Sequence, residues 1–240
     1  MMKLEIGYNH PFEIRNYQYP FDKLAGTKIL YLSDFHFNRF GSRLVENVCA
    51  EIEKIDPAIV LLGGDYADSG KGLSYFKNMM KFIARYKTVC AIPGNHDVFR
   101  KKRLREIVGG GNGIWLQESS ATVQLRDSTI RIDSIRAPLQ PDTADFSILL
   151  LHRPIDVTRI AHRYNVIFAG HLHGGQAVLW STGKGLFPGR LLYKWNRLSA
   201  DFGNCRYLIS KGLGDTLPIR YNCPKDAILV EINAPALIRE

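Results

Sequence analysis

Short apolar runs separated by amphipathic stretches set the rhythm of the first half of this chain. Lys28 to Leu32, Ala58 to Leu62 and Thr88 to Ile92 are apolar almost throughout and too short for helices. Apolarity that is continuous rather than alternating predicts strands buried on both faces. Between them, residues 42–54 carry Leu44, Val45, Val48 and Ile52 at helical spacing, continued by Ile55. Residues 71–86 repeat the pattern with Leu73, Phe76, Met80 and Ile83. Both stretches predict helices with one buried face. The strand–loop–helix recurrence predicts an α/β fold with its polar loops at the carboxyl ends of the strands.

The second half holds more strand than helix. Residues 121–125 and 128–135 flank Arg126-Asp127 as a hairpin would. Phe146 to Leu151, Asn165 to Ala169, Arg206 to Ser210 and Ala227 to Ile232 read as further strands, and residues 155–163 as a helix. Residues 3–6 and 12–18 alternate loosely, as edge strands or an N-terminal arm. No repeat, low-complexity tract or linker interrupts the pattern, so residues 1–240 are expected to form one domain.

Composition narrows the class. The chain is 45% hydrophobic and 23% charged, ordinary for a soluble protein. Nowhere do 18 apolar residues run together, and the first residues lack the apolar core of a signal peptide. Cys49, Cys90, Cys205 and Cys223 form no C-x-x-C pair, which argues against a zinc ribbon or a disulfide framework. A cytoplasmic location is therefore expected. The net charge of +9 points to an anionic partner, whether a phosphate ester, nucleic acid or an acidic membrane surface.

The chemistry gathers at the strand ends. Gly170-His171-Leu172-His173-Gly174-Gly175-Gln176 follows an apolar run. Residues i and i+2 of an extended segment project the same way, so both histidines can face one centre, and the glycines permit close approach. Four further motifs close other strands: Asp34-x-His36, Asp65, Asn95-His96-Asp97 and His152. Of seven histidines, only His10 and His162 fall outside this set. Imidazole, carboxylate and amide oxygen without thiolate suit Mn²⁺, Fe or Zn²⁺ in a catalytic rather than a structural site. The ligands are too many for one ion. Two divalent ions about 3.5–4 Å apart, bridged by a carboxylate, would use them all.

The order D-x-H, G-D, G-N-H-D, H, G-H-x-H resembles the calcineurin-like metallophosphoesterase superfamily from residue 29 to about residue 175. The resemblance implies a four-layer α/β/β/α sandwich with two central mixed β-sheets, and hydrolysis of a phosphate ester by two divalent metals, Mn²⁺ favoured. It also implies ligand roles. Asp34, His36 and His173 hold the first metal, Asp65 bridges, and Asn95, His152 and His171 hold the second. His96 becomes the general acid and Asp68 the carboxylate that orients it, while Asp97 is expected to brace its turn. Protein phosphatases of this superfamily carry arginines where Ser69 and Pro93 stand here, which disfavours a phosphoprotein substrate. His171 to Gln176, Ile209 to Gly214, Pro218-Ile219-Arg220 and Pro224 look like the YkuE/YaeI branch, which includes enzymes cleaving UDP-2,3-diacylglucosamine in lipid A synthesis.

Two stretches bear on the substrate. Arg100, Lys101, Lys102, Arg103 and Arg105 follow the third motif and read as a solvated helix face or as a cationic rim, with Arg100 and Lys101 the candidate substrate contacts. Residues 178–195 mix Leu179, Trp180, Phe187, Leu191, Leu192 and Trp195 with Lys184, Arg190 and Lys194, as a core loop or a membrane-facing segment would. Together they favour an amphiphilic phosphodiester or pyrophosphate, with peripheral attachment to an anionic membrane. A nuclease or cyclic-nucleotide phosphodiesterase is the alternative, although no aromatic–basic stacking platform favours nucleic acid. A non-catalytic scaffold ranks last because every ligand position is filled. The oligomeric state is not encoded in any of these patterns.

Overall fold

The computed structural model describes residues 3–85, 87–138 and 143–235. In chain order, β1 (Leu4–Ile6), β2 (Phe12–Pro20), β3 (Lys28–Leu32), α1 (Ser42–Ile55), β4 (Ile59–Leu62), α2 (Gly70–Ile83) and β5 (Thr88–Ala91) build the first half. Then α3 (Lys101–Gly110), β6 (Ile114–Trp115), β7 (Ser120–Leu125), β8 (Ser128–Ser134), β9 (Phe146–Leu150) and β10 (Val166–Ala169) follow. The chain closes with β11 (Val178–Thr182), β12 (Gly185–Pro188), α4 (Gly189–Leu192), β13 (Ser199–Phe202), β14 (Cys205–Ile209), β15 (Ile219–Tyr221) and β16 (Lys225–Asn233).

Two six-stranded mixed sheets form the centre, ordered β2-β16-β3-β4-β5-β6 and β13-β14-β10-β9-β8-β7. In the first, β3, β4, β5 and β6 run parallel while β16 is antiparallel to β3. The expected strand at 12–18 is the edge strand β2, parallel to β16. The segment at 3–6 instead leaves the sheet and pairs with β15 as a separate ribbon.

Alternate residues of the same strands enter different cores. Leu30, Leu32, Val60, Leu62, Val89 and Ala91 pack under α1, α2 and α3. Ile29, Tyr31, Ile59, Leu61 and Cys90 face Ile130, Ile132, Phe146, Ile148 and Phe168 of the second sheet. Burial on both faces explains the unbroken apolar runs. Each fully buried Leu, Ile or Phe side chain contributes about 1.5–3 kcal/mol, so these layers anchor the strand ends firmly.

The outermost layer on the second sheet departs from expectation. Residues 155–163 are not an α-helix; only a 3₁₀ turn forms at Ala161–Arg163. The carboxylate of Asp156 accepts from the backbone N–H and the hydroxyl of Thr158, at 3.0 and 2.6 Å, which diverts the chain into a side-chain-closed turn before a helix can propagate. Val157, Ala161 and Ile160 still cover Leu149, Leu151 and Ile167, so the fourth layer of the sandwich is irregular chain rather than helix. Helix α2 begins one residue before the expected start, capped by Ser69 Oγ accepting from Gly72 N at 3.0 Å. It closes at Ile83, and Tyr86, the far end of the expected helix, lies outside the described residues.

Candidate metal centre

The loops leaving β3, β4, β5, β9 and β10 converge at one edge of the two sheets, and they carry the five motifs. Asp34, His36 and His173 place donor atoms within 4.8 Å of one another, and so do Asp65, His152 and His171. Between the two groups stands the Asp65 carboxylate. Its Oδ2 is 3.7 Å from His36 Nε2 and 3.2 Å from His152 Nε2. Asn95 Oδ1 completes the second group, 2.8 Å from His152 Nε2.

Holding so many donors together strains the backbone. Asp34, His36, Asp65, His171 and His173 have φ of 54°, 43°, 56°, 71° and 49°, in the left-handed region that side-chain-bearing residues avoid. Such residues cost on the order of 1–3 kcal/mol each and persist only where the surroundings over-determine them. The surroundings here do so. Asp97, buried completely, accepts from Gly94 N, Asp65 N and Tyr66 N at 2.7, 2.8 and 3.0 Å and ties the β4 and β5 loops together. Asp65 Oδ1 accepts from His96 N at 2.8 Å. Asp34 accepts from Ser33 Oγ at 2.6 Å and from His171 N at 3.0 Å, joining the loops of the two sheets.

Several partners fix the imidazoles. His152 Nδ1 lies 2.9 Å from the Gly63 carbonyl, leaving Nε2 aimed at Asp65 and Asn95. Arg220 Nη2 sits 3.3 Å from His173 Nδ1 and donates to the carbonyls of Lys211 and Gly214, while Nε of the same guanidinium donates to the buried carboxylate of Asp215. Burial drives the His173 pKa down to about 4, and burial with the charges of His152 and Arg153 lowers that of His171. Burial alone would also lower His152, but its hydrogen bond to Asp65 and the charges of Asp34 and Asp65 raise it to about 9. Asp65 is held at about 2, the bond and charge of His152 outweighing its burial.

These residues fit two divalent cations on their own chemistry. His36 Nε2 is buried and has no hydrogen-bond partner among the described residues, an arrangement that costs about 1–3 kcal/mol unless something binds the lone pair. The set is nitrogen and oxygen donors only, as hard or borderline cations require.

Asp68 proves more central than its loop position suggested. Both its oxygens lie 3.1 Å from His36 Nδ1, and Oδ1 lies 3.8 Å from His96 Nδ1. One carboxylate therefore hydrogen-bonds an expected metal ligand, the outer-sphere contact that ligating histidines usually need, and lies close to the expected acid. The His96 ring stands edge-on to His36, centroids 4.8 Å apart, with its side chain 43% exposed. Of the basic run, Arg100 reaches the Asp68 carbonyl at 3.3 Å and Lys101 lines the cavity beside Asn95. Lys102, Arg103 and Arg105 face solvent on α3. Sequence reasoning did not single out Ser33, Arg153 or the support given by Arg220. Ser33 and Arg153 do adjoin motif residues, which was the only signal available.

The family model for calcineurin-like phosphoesterase matches residues 27–175 of this geometry. The chain belongs to that family. Over nearly its whole length it also resembles phosphodiesterase YaeI of Escherichia coli strain K12, 25% identical over 255 residues, covering 95% of this chain and 92% of that one. An uncharacterized metallophosphoesterase of Aquifex aeolicus strain VF5 is 28% identical over 227 residues, covering 85% and 84%. A dimetal phosphatase from Danio rerio shares the fold at a TM-score of 0.53 and 9% identity, covering 86% of this chain and 99% of that one. The protein TT1561 of Thermus thermophilus shares it at 0.51 and 10% identity, covering 79% and 91%. This metallophosphoesterase is thus a metal-dependent phosphoester hydrolase with two mixed sheets at its centre.

Proposed function

We propose that this enzyme cleaves a phosphodiester or pyrophosphate bond of a nucleotide-linked lipid, of which UDP-2,3-diacylglucosamine is the type. The observation that carries the lipid half is the β11–β12 hairpin with α4. Its stem begins at Val178, a few residues beyond His173, and Gly189 lies so near Gly175 that a Cβ added to either would come within 3.6 Å of the other's Cα. On it Leu179, Trp180, Leu191, Leu192 and Tyr193 are 50–82% exposed, and Lys184, Arg190 and Lys194 surround them. Exposed apolar groups among cations, rooted beside the metal centre, suit an acyl chain or an anionic bilayer. Trp195, by contrast, packs against Tyr207, so the segment divides between surface and core.

Asp34, His36, His173 and Asp65 would hold one cation, and Asp65, Asn95, His152 and His171 the other, with Mn²⁺ the favoured metal. When bound, such a pair acidifies water and neutralises non-bridging phosphoryl oxygens. The chain supplies the rest. His96, oriented by Asp68, donates a proton to the departing oxygen. Arg100 props the Asp68 loop and Lys101 reaches toward the substrate's negative charge. Among the described residues no helix is long and apolar enough to cross a membrane, so the hairpin would supply peripheral attachment.

The test compares UDP-2,3-diacylglucosamine with bis(4-nitrophenyl) phosphate on metal-stripped enzyme resupplied with Mn²⁺. The reading expects kcat/KM for the lipid to exceed that for the diester by at least about 10³, and the triple change Trp180→Ser, Leu191→Ser, Leu192→Ser to abolish most of that excess. Equal rates on both substrates would remove the lipid from the proposal.

A further inference from the structure

We propose that the cavity beside Asn95 and His152 seats the nucleoside-diphosphate half of the substrate, with Arg153 gripping the phosphate next to the scissile one. The inference rests on the pyrophosphate reading above and deepens it.

The cavity measures about 360 Å³, within the roughly 300–1,000 Å³ range of small-molecule sites. One end is formed by Asn95 and His152, so whatever fills it abuts the metal centre. Its walls include the apolar Ile92, Leu116, Leu150 and Ile155. Its cations are Lys101, Arg136 and Arg153. These three are not equivalent. Arg136 is engaged by Glu118 at 3.3 Å. Arg153 is exposed and makes no hydrogen bond or ion pair with any described residue, although it directly follows His152. A planar fork of donors left unpartnered beside a phosphoryl site matches the bidentate geometry of a phosphate. Pro154 restricts the Arg153 backbone to extended conformations, which limits where that fork can swing.

The rest of the lining suits a ring rather than an alkyl chain. Gln117 and Glu118 add an amide and a carboxylate to the apolar walls, groups able to bond ring hydroxyls or a base edge. None of the exposed apolar residues of the β11–β12 hairpin lines this cavity, so the acyl and nucleotide halves have separate seats. Hydrolysis then adds one water across the P–O–P bridge. The hydroxyl goes to the phosphorus at the metal centre and the proton to the departing phosphate oxygen, leaving two phosphomonoesters.

The experiment uses the full chain loaded with Mn²⁺ and measures inhibition of bis(4-nitrophenyl) phosphate hydrolysis by UDP and by inorganic pyrophosphate. Arg153→Ala is expected to raise the inhibition constant for UDP at least tenfold. The KM and kcat for the small diester, which lacks the second phosphate, should change several-fold less than the UDP constant does, and Arg153→Lys should recover part of the loss. UDP should inhibit the wild type more strongly than pyrophosphate. An unchanged UDP constant, or a parallel collapse of diester hydrolysis, would overturn the role of Arg153. Equal inhibition by UDP and pyrophosphate would overturn the ring seat. Should the wild type cleave no diester, the hydrolase reading fails separately. Equilibrium dialysis of UDP then decides the inference: a tenfold loss in Arg153→Ala supports it, and equal affinity refutes it.

Discussion

At the scale of single residues, the centre is a competition between protons and cations. Without metal, the Asp65–His152 pair is ionised around neutrality. His152 is raised to about 9, so its share of stability is complete below its ordinary value near 6.5 and fades as pH rises through 9. Asp65 is lowered to about 2, so its share is present above about 4 and fades as pH falls through 2. Because a ligating imidazole must be neutral, loading Mn²⁺ at pH 7.5 should expel about one proton. Mn²⁺ affinity should fall close to tenfold for each unit of pH lowered from 8.5 to 6.5. Calorimetry in buffers of different ionisation enthalpy reads the proton, and a release near zero would contradict the pairing. Asp97 makes a second prediction. Replacing it with Ala leaves the buried N–H groups of Asp65 and Tyr66 and the half-buried one of Gly94 unanswered and should cost about 2–4 kcal/mol in urea unfolding, while Asp97→Asn should cost less. The motif residues were readable because each needed a specific donor atom at a strand end. Arg220 was not, because its role depends on a loop folding back over His173, which no local spacing encodes.

At the scale of elements, buried strands were legible and their covering layers less so. Continuous apolar runs such as Ile59–Leu62 announced strands with two buried faces. Helices α1 and α2 announced themselves by their stripes. The chain at 155–163 showed the same apolar spacing, yet Asp156 and Thr158 close a local turn first, so periodicity alone misled. The hairpin of β11 and β12 escaped notice because Val178 and Leu186 are buried while Leu179 and Trp180 face solvent, so its apolar residues do not alternate against a core. Trp180 and Phe187 stack across it at 5.2 Å. Close approach between elements also limits substitution. A Cβ on Gly170, at the end of β10, would collide with Asp34 Oδ2 and Ser33 Oγ, and one on Gly94 with the Asp65 carboxylate. Gly170→Ala is therefore expected to weaken Mn²⁺ binding at least tenfold with a smaller change in Tm. Metal analysis after gel filtration checks this, and full metal retention would contradict it.

At the scale of the molecule, the two sheets act as jaws of one support. The loops of β3, β4 and β5 carry Asp34, His36, Asp65 and Asn95, and the second sheet supplies His152, His171 and His173. The core between the sheets sets their separation, and with it whether the two donor groups meet. Donors from both sheets that meet at one carboxylate are the arrangement two cations acting together would use. The most direct test is the rate of bis(4-nitrophenyl) phosphate hydrolysis as Mn²⁺ is titrated into metal-stripped protein, with bound metal counted at each step. The account predicts little activity up to one equivalent and a steep rise as the second binds, reaching a plateau at two. Full activity at one equivalent, or none with two bound, would contradict it.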